Sequence, residues 1–73
     1  MAQVSAGALK AMREARTLLR KAREKIVRAG SLANSPHAED ALELALDSTT
    51  DAYAEVEQAI TEEQAYVDHF YGR

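Results

Sequence analysis

The fold is decided by residues 30–36, which read GSLANSP. Gly30 suits the end of one helix, the Ser35 hydroxyl can cap the start of the next, and Pro36 fits the first position of that second helix. Acidic residues follow where they favour the positive end of the helix dipole. The stretch therefore predicts a turn over residues 30–35 between two helices.

Helix-compatible sequence lies on both sides of this turn. Residues 4–29 contain no proline and one glycine, Gly7, so a first helix is expected over about that range. A second helix is expected over about residues 36–70. Its weakest place is DSTTD at residues 47–51, where β-branched and locally hydrogen-bonding side chains favour a kink more than a break. We predict a single all-α domain, residues 1–73.

Alanine recurs every seven residues in both predicted helices. Residues seven apart share one helix face, and small side chains along that face let two helices approach to about 8 Å. In an antiparallel hairpin, facing residues have numbers with a constant sum, and all four alanine pairs sum to 67. The sequence thus predicts an antiparallel two-helix hairpin with an alanine seam, formed by Ala8, Ala15, Ala22 and Ala29 against Ala59, Ala52, Ala45 and Ala38.

Larger apolar residues are expected to form one broad face beside the seam. Because the two helices already meet along the alanines, this face needs another chain to cover it. The simplest solution is an antiparallel dimer that forms a four-helix bundle, although a filament neighbour or a second, different helical hairpin would serve. The predicted central interface comprises Met12, Leu19, Ile26, Leu42, Leu46, Tyr53, Val56 and Ile60.

Three of the four aromatic residues lie near the C-terminus. With a sum of 67, Met1 faces Tyr66, so the residues after Tyr66 are expected to overhang the first helix. Tyr66 and Phe70 are four apart and should stack on one helix face. We predict a terminal contact with another chain, made by Tyr66, Val67, Phe70 and Tyr71.

The charges are divided unevenly between the two halves. Residues 1–34 carry eight basic and two acidic side chains (+6), and residues 35–73 carry ten acidic side chains and one basic (−9). On the side opposite the apolar face, Lys21 is expected across from Asp51. Outward, unpaired arginines offer an alternative function: nucleic-acid binding by a four-helix-bundle dimer similar in shape to the small Rop-type RNA-binding proteins. They are Arg13, Arg16, Arg20 and Arg23.

Other function classes find no support in the sequence. The absence of cysteine excludes disulfides and thiolate zinc sites, and His37 and His69 lack the spacing of a di-iron motif. We therefore expect no enzyme activity, no cofactor and no metal. Without a long apolar run or a signal-peptide core, the chain is expected to be cytoplasmic, or exported without a cleaved signal, and to have no membrane partner.

A short motif supplies one family resemblance. Residues 53–57 read YAEVE, a Tyr-x-x-x-acidic pattern, within two helices of similar length joined by a short turn. This arrangement resembles the small WXG-type helical hairpins of ESX (type VII) secretion systems. The resemblance implies secretion without a cleaved signal and antiparallel pairing with a different hairpin.

Overall fold

The structure, a computed structural model, describes residues 2–71, with side chains described for residues 6–70. It consists of two helices, α1 (Ala2–Leu32) and α2 (Pro36–Tyr71), and contains no strand in this range. The helices pack against each other as a hairpin whose Cα atoms span 55 × 14 × 12 Å. The predicted all-α hairpin is confirmed, and it is a thin rod.

The turn between the helices has only three residues, 33–35. Ser35 caps α2 as predicted: the Ala38 backbone N–H donates to the Ser35 hydroxyl at 3.4 Å, and the Glu39 N–H donates to the Ser35 carbonyl at 2.9 Å. The first bond satisfies an N–H group that has no partner within the helix, and the second is the first regular bond of α2. The serine and the following proline therefore fix where α2 begins.

The prediction that Gly30 ends the first helix is wrong. α1 continues through Gly30 to Leu32, and no described glycine has the positive φ of a helix-terminating residue. One glycine in a helix costs only about 1 kcal/mol, and leucine is a good helix former, so two further residues stay helical. The Ser31 hydroxyl also donates to the Arg28 carbonyl at 2.8 Å.

The second helix runs without a break through residues 47–51. Thr49 keeps its hydroxyl within the helix, where it donates to the Ala45 carbonyl at 2.7 Å. With 36 residues, α2 is five longer than α1, which has 31. At about 1.5 Å per residue, α2 continues for more than one turn past the level where the described part of α1 begins.

The alanine seam is present along only part of the hairpin. Ala8, Ala15, Ala45, Ala52 and Ala59 are half-buried, whereas Ala22, Ala29 and Ala38 are exposed, so the prediction is wrong for these last three. A strict seven-residue repeat rotates by about 20° per heptad around a straight α-helix. In α1 this drift carries the alanines away from α2 as the chain approaches the turn.

Candidate protein-interaction face

The eight residues of the predicted central interface are shielded from solvent to a similar degree. Each of them is half-buried, while leucines elsewhere on the hairpin, such as Leu18 and Leu44, are 66% and 68% exposed. The facing helix therefore already covers part of every one. A contact of these side chains, Met12, Leu19, Ile26, Leu42, Leu46, Tyr53, Val56 and Ile60, with another chain stays a prediction.

Leu9 is the one buried side chain among residues 6–70, with 6% of its surface exposed. The sequence prediction did not include Leu9, because it is neither in the alanine heptad nor four residues beyond an alanine of that heptad. A signal was available in the spacing, since Leu9 is three residues from Met12 and so shares its helix face. One buried leucine is a very small core for a hairpin of this size.

A row of basic residues follows one flank of α1. Arg13, Arg16, Arg20, Arg23 and Val27 are spaced alternately by three and four residues, which places them along one side of the helix. Two of the arginines reach α2. Arg16 Nη1 lies 3.2 Å from Glu57 Oε2, and Arg13 Nη2 donates to Gln64 Oε1 at 3.3 Å.

These contacts correct the prediction that the four arginines are unpaired. Side chains in a helix lean toward its N-terminus, so in an antiparallel pair Arg16 and Glu57 lean toward each other. They meet although their numbers sum to 73, six more than the alanine register. Arg20 and Arg23 are exposed and form no ion pair within the described residues.

The matching flank of α2 is mainly acidic, with apolar residues between the charges. Near the turn, Val27 of α1 and Glu39, Glu43 and Leu46 of α2 line one shallow concavity. Near the other end, the same flank provides the partners of Arg13 and Arg16. We call this side of the hairpin the Arg/Glu face; it comprises Leu9, Arg13, Arg16, Arg20, Arg23 and Val27 of α1 and Glu39, Glu43, Leu46, Tyr53, Glu57 and Gln64 of α2.

The opposite side of the hairpin carries small residues. Ala22 and Ala29 are exposed there, and Leu18, spaced with them on the same helix face, is 66% exposed. The expected pair between Lys21 and Asp51 is not formed within 4.0 Å. In the described part of the chain, the interhelical ion pair therefore lies on the Arg/Glu face and not on the side predicted for it.

The aromatic residues near the end of α2 contact one another as predicted. The ring centroids of Tyr66 and Phe70 are 4.6 Å apart, and His69 meets Phe70 edge-on at 4.8 Å. Tyr66 and Phe70 are 52% and 58% exposed, and Val67 is half-buried. The Tyr71 side chain lies outside the described residues. A contact of this group with another chain stays a prediction.

Neither metal ligands nor a membrane span stand out in the described residues. No group of three or more histidine, aspartate and glutamate side chains there could hold a metal ion. His37 is exposed in the first turn of α2. Within the same range, neither helix has a stretch apolar enough to cross a bilayer.

No protein-family model matches the chain, and neither a curated protein nor a solved structure matches it. The resemblance to the WXG-type hairpins and the likeness in shape to the Rop-type bundles therefore stay predictions. The same holds for nucleic-acid binding along the four arginines, two of which are already engaged by α2.

Proposed function

We propose that this protein is a non-catalytic self-assembly module, which acts by packing its helical hairpin against another chain through the Arg/Glu face. One observation carries the proposal: among side chains 6–70 only Leu9 is buried. Hydrophobic burial is the main favourable term in folding, and here the two helices leave almost every apolar side chain in partial contact with water. A second chain supplies the missing burial.

The accessible surface area of the hairpin is larger than that of a compact protein of the same mass. A compact monomer of this mass has about 4,450 Å² of accessible surface, whereas the hairpin has 5649 Å². The excess is about 1,200 Å², compared with about 800 Å² per partner in a standard protein interface. The radius of gyration points the same way, being 16.5 Å where about 11 Å is typical of 73 residues. One interface of ordinary size would remove most of the excess.

The Arg/Glu face is favoured over the opposite side because it carries several large apolar side chains, whereas the opposite side carries Leu18 among exposed alanines. Leu46 and Tyr53 line it and are half-buried, and Val27 is 52% exposed. A fully buried side chain of this kind contributes about 1.5–3 kcal/mol, while alanine contributes much less. Covering this face therefore completes the burial of Val27, Leu46 and Tyr53 together, whereas the other side offers Leu18 among the alanines.

The test compares two exposed positions on opposite sides of the hairpin by sedimentation equilibrium. Val27→Asp places a charge on the Arg/Glu face, and Leu18→Asp places the same charge on the alanine side, where the leucine is 66% exposed. Because both positions are open to solvent in the single hairpin, each variant can still form it. We expect Val27→Asp to weaken self-association at least tenfold and Leu18→Asp to leave it near wild type. The reverse order, or a wild-type chain that never associates, would overturn the proposal.

A further inference from the structure

We infer that the partner on the Arg/Glu face is a second copy of this chain, related by a twofold axis parallel to the helices, so that α1 of each copy packs on α2 of the other. This inference rests on the proposed function, since it presupposes self-association. It adds the identity of the partner and its orientation, with both turns at the same end of a four-helix bundle.

Positive and negative charges lie on different halves of the Arg/Glu face. The α1 side carries four arginines, Arg13, Arg16, Arg20 and Arg23, and the α2 side carries Glu39, Glu43 and Glu57. Only the Arg16 and Glu57 charges form an ion pair within the described hairpin. Most of the charged groups on this face thus remain available to a partner of complementary charge. A second copy supplies that complement, because it has one positive and one negative side of the same length.

Two stacked copies can be related by a twofold axis in two ways. If the axis runs parallel to the helices, α1 lies on α2 of the partner, and arginines face glutamates. If the axis runs across the hairpin, α1 lies on α1 of the partner, so that arginines face arginines and glutamates face glutamates. Like charges placed opposite each other disfavour an interface, whereas opposite charges set its register. The charge pattern therefore selects the first arrangement.

The positions of the charged residues along the helix axis agree with the arrangement in which α1 lies on α2 of the partner. Rotation about an axis parallel to the helices leaves every residue at its own level. With the turn centred near Asn34, Arg23 comes level with residue 45 of the partner subunit, and so lies between its Glu43 and Asp47. Both carboxylates are within about one helical turn, a distance that an arginine side chain spans. Every pair of adjacent helices in this bundle is also antiparallel.

The orientation can be measured with cysteine cross-linking, since the natural chain has no cysteine. Asn34→Cys places a thiol in the turn, and Ala6→Cys places one near the other end, seven residues before Arg13 and so on the same side of α1; both positions are exposed. The hairpin is 55 Å long, far beyond the reach of a short bifunctional thiol reagent. The two variants are treated separately and as an equimolar mixture, and the covalent products are separated by mass.

The proposed orientation predicts that Asn34→Cys cross-links to itself, that Ala6→Cys cross-links to itself, and that the mixture gives no product joining the two. A mixed product as the main species would overturn the inference, because it places the turn of one copy at the open end of another, in a crossed dimer or a head-to-tail filament. In that case the chain still associates, and the proposed function stands. Absence of every product, with a molar mass of 8.0 kDa, would instead refute self-association itself.

Charge reversal gives an independent check on the same point. In the proposed dimer, Arg20→Glu combined with Arg23→Glu places acidic residues against the acidic side of the partner, so the dissociation constant should rise at least tenfold. The crossed arrangement inverts the levels along the rod, so Arg20 and Arg23 come near the partner subunit's Arg13, and reversing them replaces a repulsion by an attraction. An unchanged or lower dissociation constant would therefore overturn the inference. Lys21→Glu with Lys25→Glu, on exposed positions away from the face, is the matched control.

Discussion

Arg16 and Glu57 join the two helices across 41 positions of sequence, with Arg16 Nη1 at 3.2 Å from Glu57 Oε2. Their side chains are 36% and 48% exposed, so water screens the pair. Exposed ion pairs contribute about 0–1 kcal/mol, and this one is expected to set the pairing of the helices more than their stability.

A double-mutant cycle on Arg16→Gln and Glu57→Gln should give a coupling free energy below about 1 kcal/mol, which decreases as salt is added. The matched cycle on Lys21→Gln and Asp51→Gln should give about zero, because these two groups form no ion pair in the described hairpin. Both cycles are measured by urea unfolding at one chain concentration. A larger coupling for the second pair would show that the charges meet on the other side of the hairpin.

Replacing Gly30 by alanine should stabilise the protein by about 0.5–1 kcal/mol. The glycine lies inside α1 without a positive φ, and a Cβ added there meets nothing within 4 Å. A helix-terminating glycine in the left-handed region would give the opposite sign, since alanine is strained there. Thermal unfolding followed by circular dichroism distinguishes the two, and a lowered midpoint would contradict the continuous helix.

Truncating Leu9 to alanine should lower the free energy of unfolding by about 2 kcal/mol, at the low end of values for buried leucines because the core around it is thin. Leu9 is 6% exposed, while Leu18 on the same helix is 66% exposed. Leu18→Ala is therefore the control, and it should change stability by less than about 0.5 kcal/mol. Equal losses in the two variants would show that Leu9 is not the better-packed leucine.

Replacing Ser35 by alanine should lower the free energy of unfolding by about 1 kcal/mol, because the Ala38 N–H loses the hydroxyl that caps α2. Ser31→Ala is the matched control: its hydroxyl bonds to the Arg28 carbonyl inside α1 and caps no N–H group. Helical content and unfolding midpoint are recorded for both. A smaller loss at Ser35 than at Ser31 would argue against the cap.

The local features of this fold could be predicted from the sequence, whereas the packing between the helices could be predicted only in part. Ser35 and Pro36 predict the start of α2, because helix capping depends only on residues that are close together in the sequence. The prediction that α1 ends at Gly30 was wrong because glycine is tolerated inside a helix as well as at its end.

The predicted alanine seam is absent near the turn for a geometric reason. A strict heptad drifts around a straight helix, so Ala22 and Ala29 end up exposed although Ala8 and Ala15 do not. The pairing of Arg16 with Glu57 was missed because it depends on the lean of two long side chains, which level-by-level matching of Cα positions ignores. Long side chains bring together residues that the backbone places more than a turn apart.

The proposed function requires self-association, and the solution molar mass of the wild-type chain tests this requirement most directly. Light scattering over a concentration series, with circular dichroism on the same samples, should give at least twice the chain mass of 8.0 kDa, with helical content and molar mass falling together on dilution. A molar mass of 8.0 kDa at every concentration, whether the chain is helical or not, would contradict it.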